Sequence, residues 1–93
     1  MTVKVMIPTP LRSYTEKKDS VIVEGSNVNE VLRQLTLRYS ELNKHLYDDS
    51  GSLRNFVNIY VNDEDIRYLQ KGQTTLTEKD VVSIIPSIAG GRE

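Results

Sequence analysis

The residues with the clearest chemical potential are Ile88-Ala89-Gly90-Gly91-Arg92-Glu93, which follow an apolar, strand-like run. Glycine has no Cβ and reaches backbone conformations closed to other residues, so a Gly-Gly pair can thread a narrow active site and bring a carboxylate up to bound ATP. A free carboxylate at Gly91, with an α-carboxyl pKa of about 3.3–3.7, is ionised at neutral pH and attacks the ATP α-phosphate once positioned. In this sequence that carboxyl is held in the peptide bond to Arg92, so the chemistry requires removal of Arg92-Glu93. The chain therefore reads as a precursor. Gly91 and Arg92 flank the expected processing site, and Ile88, Ala89, Gly90 and Gly91 form the segment that enters partner enzymes. At about 3.3–3.6 Å per extended residue, Ser87 to Gly91 reach on the order of 15 Å from the domain.

Other groups offer less. There is no cysteine, hence no thiol catalysis and no disulfide, which is compatible with the cytoplasm. His45 is the one histidine and has no cysteine or second histidine to join it at a metal, so it is expected to be a solvated surface residue. Asp48-Asp49 and Asp63-Glu64-Asp65 lack the ligand spacing and glycine of a calcium loop and read as turns. Tyr39 and Tyr60 are assigned to packing rather than to a stacking surface. Twelve basic and thirteen acidic residues give a formal charge of −1, without the basic excess of a nucleic-acid binder, and Lys17-Lys18 is too small a cluster to supply one. No stretch is apolar enough to span a membrane, and Met1-Thr2-Val3-Lys4-Val5 enters strand-like alternation instead of a signal peptide. A chain of 93 residues suits one domain without a deep catalytic cleft, which favours a carrier or binding protein; a monomer that associates transiently with its partners is the expectation, though length does not dictate it.

The elements that must position the terminal segment follow from hydrophobic spacing. Val3, Val5 and Ile7 alternate with Thr2, Lys4 and Met6 and predict a strand over about residues 2 to 7, ended by Pro8-Thr9-Pro10. Ser20-Val21-Ile22-Val23-Glu24 predicts its hairpin partner. Asn27 and Glu30 stand at capping-box spacing, and Val28, Val31, Leu32, Leu35 and Tyr39 recur along one face of the helix that follows. A weaker helical turn is expected over Glu41 to Tyr47, then an exposed loop at Asp48–Ser52. Phe56 to Val61 predicts a third strand, and Ile66-Arg67-Tyr68-Leu69 either a short edge strand or an irregular turn. The apolar run Val81-Val82-Ser83-Ile84-Ile85-Pro86 predicts a last strand buried on both faces and central in the sheet, beside the first.

The order ββαββ is an α+β arrangement. Periodicity alone leaves ferredoxin-like and other small α+β folds open; the terminal Gly-Gly selects a β-grasp (ubiquitin-like) fold, with a mixed sheet of four to five strands covered by one main helix. Residues 1–87 form the domain and residues 88–93 its tail.

A β-grasp pattern ending in Ile84-Ile85-Pro86-Ser87-Ile88-Ala89-Gly90-Gly91 resembles the ubiquitin-like sulfur carriers of the MoaD/ThiS family. Val3-Lys4-Val5-Met6-Ile7-Pro8-Thr9 with Leu11-Arg12, then Phe56-Val57-Asn58-Ile59-Tyr60-Val61-Asn62-Asp63-Glu64-Asp65, and the Ala89-Gly90-Gly91 end are similar to its CysO-type members. The resemblance implies a protein cosubstrate rather than an enzyme. An E1-like (MoeB/ThiF-type) enzyme would adenylate the terminal glycine with ATP and Mg²⁺, and a sulfur donor would replace AMP to give a thiocarboxylate. In the CysO-type route a PLP-dependent cysteine synthase-like enzyme accepts the sulfur, and a JAMM-type zinc metalloprotease releases the cysteine. The chain departs from the family pattern at Arg92-Glu93, and a protease of the same JAMM type is the economical candidate for removing them. Ile7 and Ile59 are the expected docking residues for the activating enzyme. The same residues serve two other readings: a ubiquitin-like modifier joined through Gly91 to lysines, and a β-grasp interaction module with an incidental tail. Molybdopterin, thiazole, thiolated tRNA and other sulfur-containing metabolites are alternative sulfur acceptors.

Overall fold

Alternating burial builds the first hairpin in this computed structural model, which describes residues 2–86. In β1, Thr2–Met6, Val3 and Val5 face the core while Thr2 and Lys4 face solvent. Ile7 lies just past the strand, and its N–H donates to the Asp19 carbonyl at 2.9 Å. A 3-10 turn at Thr9–Tyr14, opened by prolines that supply no backbone donor, leads to β2, Ser20–Glu24. β2 pairs antiparallel with β1, Val3 opposite Val23 and Val5 opposite Val21.

Helix α1, Val28–Arg38, starts at Asn27, whose side chain accepts the Glu30 N–H at 2.9 Å. The return arm of the cap falls one residue earlier than its spacing predicts, because Glu30 Oε1 accepts from the Ser26 N–H and the Ser26 hydroxyl, both at 2.8 Å. These bonds hold the Glu30 carboxyl below its usual range. Gly25 lets the chain pass under the helix: a Cβ there would lie 2.8 Å from Val31 Cγ2 and 2.9 Å from the Val31 backbone nitrogen. Val28, Val31, Leu32 and Leu35 form the buried stripe, and Tyr39 caps the C-terminus half-buried against the core. The weaker helical stretch is present as a 3-10 turn at Ser40–Leu42 and a short α2, Asn43–Leu46, which bury Leu42 and Leu46.

β3 spans Val57–Val61, so Phe56, expected within the strand, precedes it and is exposed. The short edge strand is β4, Glu64–Asp65, and Ile66–Tyr68 is a 3-10 turn. Asp65 decides this local course. Its carboxylate accepts the Arg67 N–H at 2.8 Å and two guanidinium donors at 3.1 and 2.8 Å, which turns the chain immediately after the strand. Both guanidinium donors reach Oδ2 while Oδ1 takes the N–H, and these bonds hold the buried Asp65 carboxyl below its usual range.

β5, Val81–Pro86, lies between β1 and β3, parallel to the first and antiparallel to the second, giving the order β2-β1-β5-β3-β4. This is the β-grasp arrangement that the sequence predicts, with the last strand central. The expectation of burial on both faces is corrected. Val82 and Ile84 enter the core, but Ile85 is 44% exposed, because the helices cover one face of the sheet only. Among the described residues, no helix is long and apolar enough to cross a membrane.

Candidate functional site

β5 directs the chain toward the predicted reactive segment, since Pro86 ends the strand and that segment follows directly in sequence. Ile88, Ala89, Gly90, Gly91 and Arg92 lie outside the described residues. What the structure adds is the anchoring of β5 and the surface around its end.

The start of β5 is tied to the end of β3 by Asn62, which takes the left-handed conformation at φ 59° in the β3–β4 turn. Its N–H donates to the Val81 carbonyl at 2.7 Å, its side-chain oxygen accepts the Val81 N–H at 3.1 Å, and its Nδ2 donates to Asp80 at 3.0 Å. Asparagine suits both demands, since it tolerates positive φ and carries a donor and an acceptor on one short side chain. The second Asp80 oxygen accepts the Thr77 N–H at 2.9 Å. This bond, and then the one from Asn62, keep the Asp80 carboxyl below its usual range. A strand fixed in this way at its start, and laddered on both sides, is a rigid base for the segment beyond Pro86.

The uncovered sheet face is made by the residues that alternate with the core. Met6 and Tyr60 flank Ser83 in one row across β1, β5 and β3, and Ile85 stands beside Asn58 in the row toward Pro86. Ile85 and Ile22 are 44% and 51% exposed, and Met6 and Tyr60 are half-buried. Tyr60 thus belongs to this face and not to the core. Ile7 and Ile59, the expected docking residues, are each only 1% exposed. They build the core and offer no surface to a partner. The parity of the strands accounts for the correction: Ile59 pairs with Ile84 on the covered face, whereas Tyr60 and Ile85 fall on the open one.

A second surface lies at the same end of the sheet. Pro10, Leu11, Phe56, Val57 and Pro86 form the apolar part of a groove of about 490 Å³ whose remaining lining is Lys44, His45 and Arg54. Phe56 is 49% exposed there. Arg54 Nε donates to the Lys44 carbonyl at 3.0 Å, which ties the loop before β3 to α2. His45, expected to be solvated, is half-buried and stacks on Tyr14 with ring centroids 4.3 Å apart, because α2 packs beside the turn that carries Tyr14. Sequence spacing gave no sign of the groove, whose residues come from four separate segments. The only legible hint was an aromatic residue, Phe56, at the first position of a strand pattern.

Among the described residues, no group of three or more His, Asp or Glu side chains could hold a metal ion. The Asp48 side chain accepts from the Ser50 hydroxyl at 2.6 Å and from the backbone N–H groups of Ser50 and Ser52, so it shapes its own turn as expected.

Comparison with known proteins finds relatives along the whole chain. Sulfur carrier protein CysO of Mycobacterium tuberculosis is 43% identical over 93 residues, covering 98% of this chain and all of the relative. A chain of the crystal structure of the Amycolatopsis orientalis BexX/CysO complex superposes with a TM-score of 0.85 at 35% identity, over 96% of this chain and 99% of that one. The solution structure of small archaeal modifier protein 1 from Methanosarcina acetivorans gives a TM-score of 0.88 at 28% identity, over 97% and 96%. The ThiS family model matches from residue 5, within β1, through the whole sheet to Gly91, and the chain belongs to the ThiS family.

Proposed function

We propose that this chain is a sulfur carrier and not an enzyme, with Gly91 as its reactive residue once Arg92-Glu93 have been removed. The observation that carries the proposal is the extent of the family match, which continues past the end of β5, includes both glycines and stops at Gly91. The freed carboxylate attacks the α-phosphate of ATP, pyrophosphate leaves, and an acyl adenylate forms. A sulfur nucleophile then adds to that carbonyl and AMP departs, leaving sulfur bonded to the Gly91 carbon as a thiocarboxylate. ATP and Mg²⁺ belong to the E1-like enzyme. The chain supplies the carboxylate, a side-chain-free approach at Gly90 and Gly91, and a folded domain for the enzyme to grip.

For the grip, the open sheet face replaces Ile7 and Ile59. Ile85, Tyr60 and Met6 form an apolar centre on the strands that lead to the tail, in a protein otherwise rich in surface charge. In the cysteine-forming route favoured by the likeness to CysO, a PLP-dependent cysteine synthase-like enzyme presents the acceptor carbon. Acyl transfer from sulfur to nitrogen then leaves cysteine amide-linked to Gly91, and a JAMM-type zinc metalloprotease cuts that amide. The same protease is our candidate for the first cut, between Gly91 and Arg92.

The likeness to a small archaeal modifier protein favours one second reading, conjugation of Gly91 to lysines of other proteins. Intact-mass spectrometry of the untagged chain from its own host, with a thiocarboxylate-selective alkylating reagent, separates the two. Loss of Arg92-Glu93 with one oxygen exchanged for sulfur is the expected result. Lysine-linked adducts without any thiocarboxylate would replace sulfur transfer by conjugation, and a chain that stays full length when challenged with the host's proteases and activating enzymes would overturn both.

A further inference from the structure

The groove beside Pro86 is separate from the open sheet face. Its lining carries two cationic side chains, Lys44 and Arg54, and no acidic one, in a protein whose formal charge is −1, so the positive character is local. The charges are available. Lys44 makes only an exposed 3.5 Å pair with Glu41, and Arg54 forms no ion pair among the described residues. Arg54 does stand close enough to Asp48 to help hold that carboxyl below its usual range, but Asp48 is committed to the Ser50 and Ser52 bonds of its own turn. Phe56 stands half out of the wall with an apolar bed of Pro10, Leu11 and Val57 around it. Pro86, the last residue of β5, forms part of the same wall.

We infer that this groove docks an acidic, apolar-tipped loop of the enzyme that activates the tail, with Phe56 as the apolar anchor and Lys44 and Arg54 as the charged rim. The inference rests on the sulfur-carrier reading above and names a contact of its partner. Three arguments favour this occupant. Any enzyme that takes up Gly91 must close over the surface from which the chain leaves at Pro86, so the groove lies inside its footprint. The volume of about 490 Å³ accommodates a few side chains, as the tip of a loop presents. The rim charge selects an acidic partner surface, and exposed charges around an aromatic anchor act mainly by steering encounter and fixing orientation. The apolar sheet face has no such charge preference, so the two surfaces divide the work: the sheet face supplies contact area, and the groove supplies orientation of the tail toward the ATP site.

ATP–pyrophosphate exchange tests this with the chain processed to residues 1–91, the host's E1-like enzyme, ATP and Mg²⁺. The double variant Lys44→Glu, Arg54→Glu is expected to raise the KM for the carrier roughly tenfold, a loss offset by raising the carrier concentration, and to flatten its dependence on salt. Phe56→Ser is expected to raise KM severalfold while keeping the salt dependence of the unaltered chain. Lys79→Glu, the same reversal at a single position just before the start of β5, serves as the control and is expected to leave KM in place. Circular dichroism confirms that each variant is folded, and Arg54→Lys, which gives up the half-buried guanidinium bond to the Lys44 carbonyl but keeps the charge, is expected to keep the KM of the unaltered chain; a KM raised equally by Arg54→Lys would assign the effect to the lost tie and overturn the rim role. If exchange proceeds with the unaltered chain and the double variant matches it at every salt concentration, the inference is overturned while the sulfur-carrier reading stands. If the unaltered processed chain supports no exchange at all, the reading itself fails and the inference falls with it.

Discussion

Adjacent residues of β5 should separate stability from activation. Ile84 is 2% exposed and faces the core between β1 and β3, whereas Ile85 is 44% exposed on the bare face. Replacing a fully buried isoleucine by alanine loses its transfer free energy and leaves a cavity, at a cost of about 2–5 kcal/mol. A central strand laddered on both sides cannot collapse into that space, so Ile84→Ala belongs in the middle of the range, at about 3–4 kcal/mol. Full burial of such a side chain is worth about 1.5–3 kcal/mol. Ile85 gains roughly half of this and leaves no enclosed cavity, so Ile85→Ala should cost about 1 kcal/mol. At about 4–8 °C per kcal/mol for a domain of this size, thermal unfolding followed by far-UV circular dichroism should fall by about 15–25 °C for Ile84→Ala and about 5 °C for Ile85→Ala. Pyrophosphate exchange, run well below either midpoint, should show the opposite order, with KM raised severalfold by Ile85→Ala and little altered by Ile84→Ala. Equal destabilisation by the two variants would refute the one-sided burial of β5. A normal KM for Ile85→Ala would refute the open face as the docking surface.

Two glycines should respond differently to an added methyl group. Gly25→Ala drives its Cβ against the backbone of Val31, which cannot yield without moving α1, and should cost about 2–3 kcal/mol in urea unfolding. Gly72→Ala meets first the exposed Asn29 carboxamide, which can swing aside, and should cost less, with Asn29→Ala removing most of the remainder. Glu30→Ala, which deletes the acceptor of both Ser26 bonds, should lower stability by about 1 kcal/mol, and Glu30→Gln by less. For pH, the carboxyls of Glu30, Asp48, Asp65 and Asp80 all titrate lower in the folded chain than their ordinary values of 4.5 for Glu and 3.8 for Asp. The unfolded chain therefore binds protons first as pH falls. Stability should be level above about pH 5 and decline from about pH 4.5 downward, and Asp65→Asn should make that decline shallower. Thermal midpoints measured in steps from pH 7 to pH 2.5 check this, and a midpoint that rises on acidification would contradict it.

Much of the fold was legible because short-range periodicity and burial coincide here. The β1–β2 hairpin, α1 and the central place of β5 follow from Val3-Val5, Val21-Val23, the α1 stripe and the apolar run at Val81–Pro86. Where the expectation failed, the cause was an interaction that periodicity does not encode. An apolar run does not reveal whether helices cover one face of a sheet or two, so Ile85 was expected inside and Ile7 and Ile59 outside, the reverse of their burial. Of the two readings of Ile66-Arg67-Tyr68-Leu69 the irregular turn holds, while the edge strand lies at Glu64–Asp65, read as turn, because a buried carboxylate recruits Arg67 two residues on and nothing in an acidic turn pattern announces that pairing. The stacking of His45 on Tyr14 and the groove beside Pro86 assemble residues distant in sequence. The proposed reactive segment rests on the sequence alone, because its chemistry would reside in backbone and a carboxyl group, and it lies outside the described residues.

The parallel pairing of Val5 with Val82 joins nearly the two ends of the described chain at the middle of the sheet. Contacts so far apart in sequence form late and slow folding, because a long loop must close before they yield any stability. During synthesis the β1–β2 hairpin, α1 and β3 can emerge from the ribosome, yet the strand that joins the two halves of the sheet comes last. A chain stalled before residue 81 has two half-sheets and no ladder between them. On the proposed function, the strand that completes the fold is also the one that extends into Gly-Gly, so a nascent or truncated carrier has neither a formed docking face nor a tail to activate.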